Sequence, residues 1–139
     1  MQLPAHLKSV PFPAGLNREL SPANHCDFGA ASILAIAPLQ DAQQAIRLVR
    51  KNANKWGIDV GKIGIMGFSA GGHLAATAAT HFEKDYTGVD DGINLRPDFQ
   101  ILLYPVISFR PFGHSGSSTN LLGKKPSEEL IHLFSNEEQ

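Results

Sequence analysis

Ser69 has a glycine two residues away on either side, in the run Gly67-Phe68-Ser69-Ala70-Gly71-Gly72. Attack on a carbonyl carbon needs a hydroxyl projected clear of its surroundings. A sharp turn from strand to helix provides that by holding the nucleophile in a sparsely populated backbone conformation. Gly67 and Gly71 then stand where a Cβ is expected to collide with the neighbouring strand or helix, and Gly72 continues the small-residue run. A helix opening at Ala70 would aim its free amide hydrogens and positive dipole end at the place where a tetrahedral oxyanion forms, so the Ala70 amide is the expected donor. One such donor is worth roughly 3 to 4 kcal/mol of transition-state stabilisation. The competing reading of residues 67–72 is a plain tight turn or a phosphate-cradling loop. Phosphate loops, however, carry Gly-x-Gly-x-x-Gly or end in Gly-Lys-Ser, and this run does neither.

The other reactive side chains point to structural roles. His73 lies four residues after Ser69 on the same expected helix, where its ring follows the helix flank, and it reads as a packed histidine. His81 at the far end reads as a cation partner for the helix C-terminus. His114, in a Gly/Ser loop, and His132, in a final helix, are distant alternatives for a base. Asp85, Asp90 and Asp91 have no histidine at ligand spacing and read as a solvated loop, so neither a metal nor a cofactor is expected. Cys26, the single cysteine, cannot form an internal disulfide and reads as a small half-buried side chain beside His25.

The elements that must position Ser69 are legible around it. Residues 62–68 are short, apolar and bracketed by glycine, which predicts a buried strand running directly into Ser69. Residues 70–82 are small and apolar, which predicts a buried helix. A polar loop follows over 83–97, and residues 98–107 form a second apolar run. Strand, helix and strand therefore alternate as in a parallel α/β sheet with a right-handed crossover. Upstream, Leu39, Ala42, Ala45, Ile46, Val49, Ala53 and Trp56 recur three or four apart with polar residues between them, predicting an amphipathic helix. Pro38 suits its first turn and Gly57 its left-handed end. Residues 1–37 contain four prolines and read as an irregular segment in which only 30–37 have the makings of order. Past Ser108 the chain is rich in Gly, Ser and Pro until a short helical pattern at Leu130, Ile131 and Phe134.

The 139 residues fit one domain. Hydrophobic residues make up 42% and the net charge is -1, which excludes a disordered charged tail and gives no electrostatic footprint for nucleic acid. No apolar stretch approaches the ~20 residues of a membrane span. The first residues, interrupted by Pro4, Pro11 and Pro13, lack the layout of a signal peptide, which places the chain as given in the cytoplasm; a different native N-terminus would reopen secretion or the periplasm.

Residues 38–135 resemble the bacterial esterase/lipase branch of the α/β-hydrolases, the acetyl-xylan-esterase-like enzymes akin to the hormone-sensitive-lipase group. The resemblance rests on Pro38-Leu39-Gln40-Asp41-Ala42, on the run from Lys62 through Ser69-Ala70-Gly71-Gly72-His73-Leu74-Ala75, and on Leu103-Tyr104-Pro105-Val106-Ile107-Ser108. It implies a partial α/β-hydrolase fold with 38–139 as its central part. It also implies a serine carboxylesterase for short acyl esters, with acetylated carbohydrate among its substrates, working through an acyl-enzyme on Ser69. Ser69, the Ala70 amide and part of an acyl pocket carry over, and residues 120–136 look like an insertion that helps cover the site.

In this family the acid and then the histidine follow the nucleophile, and a His-Gly-Gly loop precedes it. Neither the later pair nor that loop can be matched here. The chain therefore looks truncated, and the alternative is a catalytically incompetent fragment or a non-catalytic binding protein. Sheet edges left without neighbours would favour self-association.

Overall fold

The computed structural model describes the backbone of residues 30–138 and the side chains of 34–137. The expectations for Cys26, His25 and the rest of residues 1–29 lie outside the described residues, whereas 30–37, expected within an irregular segment, are helical. The elements run α1 (Ala30–Trp56), β1 (Gly64–Phe68), α2 (Ser69–Thr80), β2 (Phe99–Leu103), α3 (Ser115–Leu122) and α4 (Glu128–Leu133), then a 3-10 turn at Asn136–Glu138.

α1 is 27 residues long and begins eight residues before the expected first turn, so Pro38 lies inside it. Pro38 has no amide hydrogen to give to the Leu34 carbonyl one turn earlier. The run Ala30-Ala31-Ser32-Ile33-Leu34-Ala35-Ile36-Ala37 is nevertheless rich in helix-favouring residues, and its propensity carries the helix through. The C-terminus closes as expected. Gly57 has φ of 67°, the Ile58 amide donates to the Ala53 carbonyl at 2.9 Å and the Gly57 amide to Asn54. This 6→1 and 5→2 pair is the Schellman arrangement.

β1 and β2 are parallel and adjacent, with Gly64 opposite Phe99, Met66 opposite Ile101 and Phe68 opposite Leu103. Their starts are clamped: the Ile63 amide donates to Asp98 Oδ2 at 2.8 Å, and the Asp98 amide donates to the Ile63 carbonyl at 2.7 Å. Among the described residues the fold is thus a parallel two-stranded sheet carrying helices, part of an α/β-hydrolase fold.

Two expectations about the strands need correcting. β2 stops at Leu103 instead of reaching 107, because Tyr104 turns to φ of 36° and Pro105 cannot donate to a ladder. Nor are the strands buried on both faces. Alternation puts Ile65, Gly67 and Leu102 toward α2, while Met66, Phe68, Phe99 and Ile101 point away and are 59%, 47%, 51% and 47% exposed. Among the described residues nothing covers that second face.

α2 ends at Thr80, two residues early, where the Thr80 hydroxyl donates to the Ala76 carbonyl and the His81 amide to the Thr77 carbonyl. α3 falls in the stretch expected to be irregular. His114 caps it, its Nδ1 accepting from the Ser117 amide, and Gly123 at φ of 90° follows it. The helix is held by Leu122, which joins Ala35, Phe109, Leu130 and Phe134 in one apolar cluster. α4 lies where the pattern at 130–134 predicted it, with Ser127 as its N-cap.

The largest departure concerns α1. Leu39, Ile46 and Ala53 are buried as expected, whereas Ala45 and Trp56 are exposed. Gln43 and Arg47, expected on a solvated face, are 0% and 1% exposed. Gln40, Gln43, Arg47 and Arg50 form a second, polar stripe that holds the loop after α2. Gln43 Nε2 donates to the carbonyls of His81 and Lys84, and its Oε1 accepts from the Tyr86 amide. Arg47 bonds Asp85, Thr87 and Asp91, and Arg50 reaches the carbonyls of Val60 and Arg96. Asp85 and Asp91 are therefore ion-pair partners of a buried guanidinium; Asp90 and Asp91 are exposed, as a solvated acidic loop implies, and the reading is corrected only in this pairing. Buried guanidinium groups require such pairing, because removing the charge from water without it is costly.

Candidate active site

Ser69 sits at the junction of β1 and α2 with φ of 49°, a left-handed conformation rare for a non-glycine residue. The residue is exposed. The conformation follows from its neighbours: the extended Phe68 leads in at φ of -116° and ψ of 139°, and α2 starts at once, so the whole change of direction falls on one residue. Strain of this kind, of order 1 to 3 kcal/mol, persists where surrounding contacts over-determine the backbone.

Those contacts are close backbone approaches. A Cβ on Gly67 would enter the carbonyl of Gly71, and one on Gly72 would meet Pro105 Cβ at 2.8 Å. Gly67 and Gly72 therefore let strand, helix and the segment after β2 converge at the elbow. Gly71 does not play the expected part. Nothing lies within 4 Å of a Cβ built there, because it faces outward on the exposed first turn of α2.

α2 has no side-chain cap, so its first amides, Ala70 among them, are not engaged by a capping group. Uncapped amides at a helix N-terminus are suited to an anionic oxygen. Beside them lies a cavity of about 380 Å³ bounded by α1, α2 and α3; it reaches Ala70, Gly71 and Leu74 and is closed by Leu39, Phe109 and Leu121. Its walls are mainly apolar.

The four described histidines take different places. His73 is packed as expected, 5% exposed, its Nδ1 2.9 Å from the Val106 carbonyl and its ring 4.4 Å from that of Phe109. Burial pushes its pKa below the ordinary value; the hydrogen bond to Val106 acts the other way, and His81 adds to the lowering. Burial works against the cation expected of His81 at the helix end. Burial lowers its pKa too, and its Nδ1 pairs with the Thr80 hydroxyl. His114 Nδ1 serves α3, and His132 lies beside the Arg110 guanidinium. Among the described residues, none of these imidazoles is hydrogen-bonded to the Ser69 hydroxyl.

Asp85 and Asp91 both pair with Arg47, and no group of three metal-ligating side chains occurs among the described residues. Hydrogen bonding from Lys51 is the main cause that brings the Asp91 carboxyl down to about 2; burial opposes it and Arg47 reinforces it. At Asp85 burial pushes the carboxyl up, but hydrogen bonds from Thr87 and the Asp90 amide, with the Arg47 charge, leave it below the ordinary value. What reading the sequence missed is the stripe at Gln40, Gln43, Arg47 and Arg50. Its spacing of three and four, facing a loop with three aspartates, was the available signal. No described helix is long and apolar enough to cross a membrane.

The parallel sheet with its flanking helices is that of an α/β-hydrolase class of protein, and an exposed serine stands in a left-handed turn between strand and helix. Within that class, residues 30–129 match the BD-FAE family model, and the chain belongs to that family. It is 45% identical over 104 residues to endo-1,4-beta-xylanase B of Butyrivibrio fibrisolvens, covering 73% of this chain and 16% of the relative. It is 42% identical over 89 residues to an acetylxylan esterase of Xylanibacter ruminicola, covering 63% and 17%. The chain thus spans about one sixth of the length of these curated relatives. Among solved structures, the acetyl ester-xyloside bifunctional hydrolase of Caldicellulosiruptor lactoaceticus superposes with a TM-score of 0.65 at 48% identity, over 72% of this chain and 38% of that one.

Proposed function

We propose that this chain carries the nucleophilic portion of a serine carboxylic-ester hydrolase acting on short acyl esters, with acetylated carbohydrate as the substrate class. The observation that carries the reading is the left-handed backbone of Ser69 at the exposed mouth of α2. An acetylxylan esterase and an acetyl ester-xyloside hydrolase among the similar proteins support the substrate.

In this mechanism Ser69 Oγ attacks the ester carbonyl and gives up its proton to a general base. The carbonyl oxygen becomes an oxyanion, and the Ala70 amide donates to it. The tetrahedral intermediate collapses, the C–O bond to the alcohol breaks, and the alcohol leaves with a proton. Water then attacks the acyl-enzyme and releases the acid. A short acyl group fits the apolar cavity that reaches Ala70 and Gly71. The base is not assigned to any described histidine, since none is bonded to Ser69.

That same observation favours a second reading, a catalytically incompetent chain whose serine has no activating partner. Labelling with a fluorophosphonate probe, alongside p-nitrophenyl acetate turnover, separates the two. Slow labelling confined to Ser69 and lost in Ser69→Ala supports the nucleophile, and labelling that persists in Ser69→Ala excludes it. No labelling of the unaltered folded chain supports the incompetent reading.

A further inference from the structure

Val106 stands between the elbow and a buried histidine. Its amide donates to the Ser69 carbonyl at 3.2 Å, and its own carbonyl lies 2.9 Å from His73 Nδ1. Asn136 Nδ2 also lies 3.3 Å from Nδ1, but the Val106 contact is the shorter, and a carbonyl only accepts, so we assign the imidazole proton to Nδ1. The Ser69 carbonyl and the Ala70 amide belong to one planar peptide and point in opposite directions. Holding the first therefore aims the second.

We propose that His73 is a positioning residue for the oxyanion donor: through Val106 it fixes the Ser69–Ala70 peptide, and with it the direction of the Ala70 N–H. This rests on Ser69 being the nucleophile.

The surroundings hold the ring in place. Phe109 and Phe134 flank it at 4.4 and 6.5 Å. Thr77 donates to the His73 carbonyl at 2.9 Å, and Asn136 Nδ2 donates to the Thr77 hydroxyl at 3.1 Å. The ring thus joins α2, the segment after β2 and the 3-10 turn at Asn136–Glu138. It joins them at the point where Ser69 and Tyr104, both at positive φ, need external support. Burial lowers the pKa of the ring and so favours the neutral form that the Nδ1–H donor to Val106 belongs to.

The test compares His73→Asn, whose amide nitrogen falls near the place of Nδ1, with His73→Gln, whose amide reaches toward that of Nε2, and with His73→Leu. Amide hydrogen exchange at Val106 and fluorophosphonate labelling of Ser69 are the two readouts. Gln and Leu should each speed Val106 exchange roughly fivefold, the scale of one net hydrogen bond. They should slow labelling by about tenfold, part of what removing a whole oxyanion donor does. Asn should stay close to the parent in both, and exchange at Ile101 in β2 should not move in any variant. A space-filling role predicts instead that Asn and Gln behave alike, and that outcome overturns the proposal, as does unchanged Val106 exchange in the Gln variant. If His73→Leu does not fold, the Asn and Gln pair still decides. If the unaltered chain does not label at all, the nucleophile assignment fails, while the exchange comparison still reads the His73–Val106–Ser69 connection by itself.

Discussion

The Gly71 carbonyl occupies the space that a Cβ on Gly67 would need. Strand and helix therefore pack backbone to backbone at the elbow, and the obstacle is a carbonyl fixed in the first turn of α2 instead of a side chain that could rotate away. Gly67→Ala should destabilise by about 3 kcal/mol or more, at the upper end of overpacking effects. Gly71→Ala, with open space at its Cβ, should be neutral or stabilise by up to about 1 kcal/mol through helix propensity. Urea midpoints of the two variants give the comparison, and equal losses would contradict it.

Arg47 should be the most sensitive polar residue of α1. Its side chain is 2% exposed and pairs with Asp85 and Asp91. Arg47→Met leaves both carboxylates without their buried partner and frees the loop after α2, for a loss of roughly 3 kcal/mol. Proteolysis within residues 83–92 should accelerate along with the drop in stability. Resistance to proteolysis equal to that of the parent would show that the stripe on α1 does not anchor the loop.

Stability should fall on acidification from neutral pH. His73 and His81 have folded-state pKa values below the ordinary 6.5, so below about 6.5 the unfolded chain binds protons that the folded chain refuses. The stabilisation is full above that pH and declines as pH falls toward the depressed values. A second loss belongs to Asp91, with a folded pKa of about 2 against an ordinary 3.8; it should set in below about pH 4 and run toward 2. Thermal midpoints from pH 8 to 3 should show both declines. His73→Asn, which cannot titrate, should make the first shallower, leaving the share of His81, and should leave the second unchanged.

The sheet face away from α2 should drive association. Met66 and Ile101 lie opposite each other there, 59% and 47% exposed, with Phe68 and Phe99 beside them. An apolar face of that kind, beside strand edges unpaired among the described residues, favours contact between copies. Met66→Lys with Ile101→Lys should move the chain toward the monomer on gel filtration at equal concentration. An unaltered chain that elutes as a monomer at high concentration would dismiss the idea.

Sequence by itself determined the elements around Ser69, because each rests on short-range rules. A run of small residues after a short apolar stretch sets β1 and α2, and Gly57 ends α1 through a local left-handed turn. Even the packed state of His73 follows from its place four residues along the same helix. Boundaries were less legible. Pro38 reads as a helix start only while the propensity of residues 30–37 is left out, and β2 looks longer than it is because apolar character continues past Tyr104, where the backbone turns.

Tertiary structure decided the rest, since it depends on residues far apart in the chain. Gln43 and Arg47 read as solvent-facing until the loop after α2, about 40 residues later, folds onto them and offers carbonyls and carboxylates. α3 has too few apolar residues to announce itself, and Leu122 holds it only through Ala35, Phe109, Leu130 and Phe134. The requirement for glycine at 67 and 72, and its absence at 71, is set by which backbone comes near each Cβ. Likewise the bond from Val106 to Ser69 spans 37 residues and carries no trace in local sequence. Pattern fixes which residues form a strand or a helix, whereas the partner of a buried polar group is settled only when the chain closes around it.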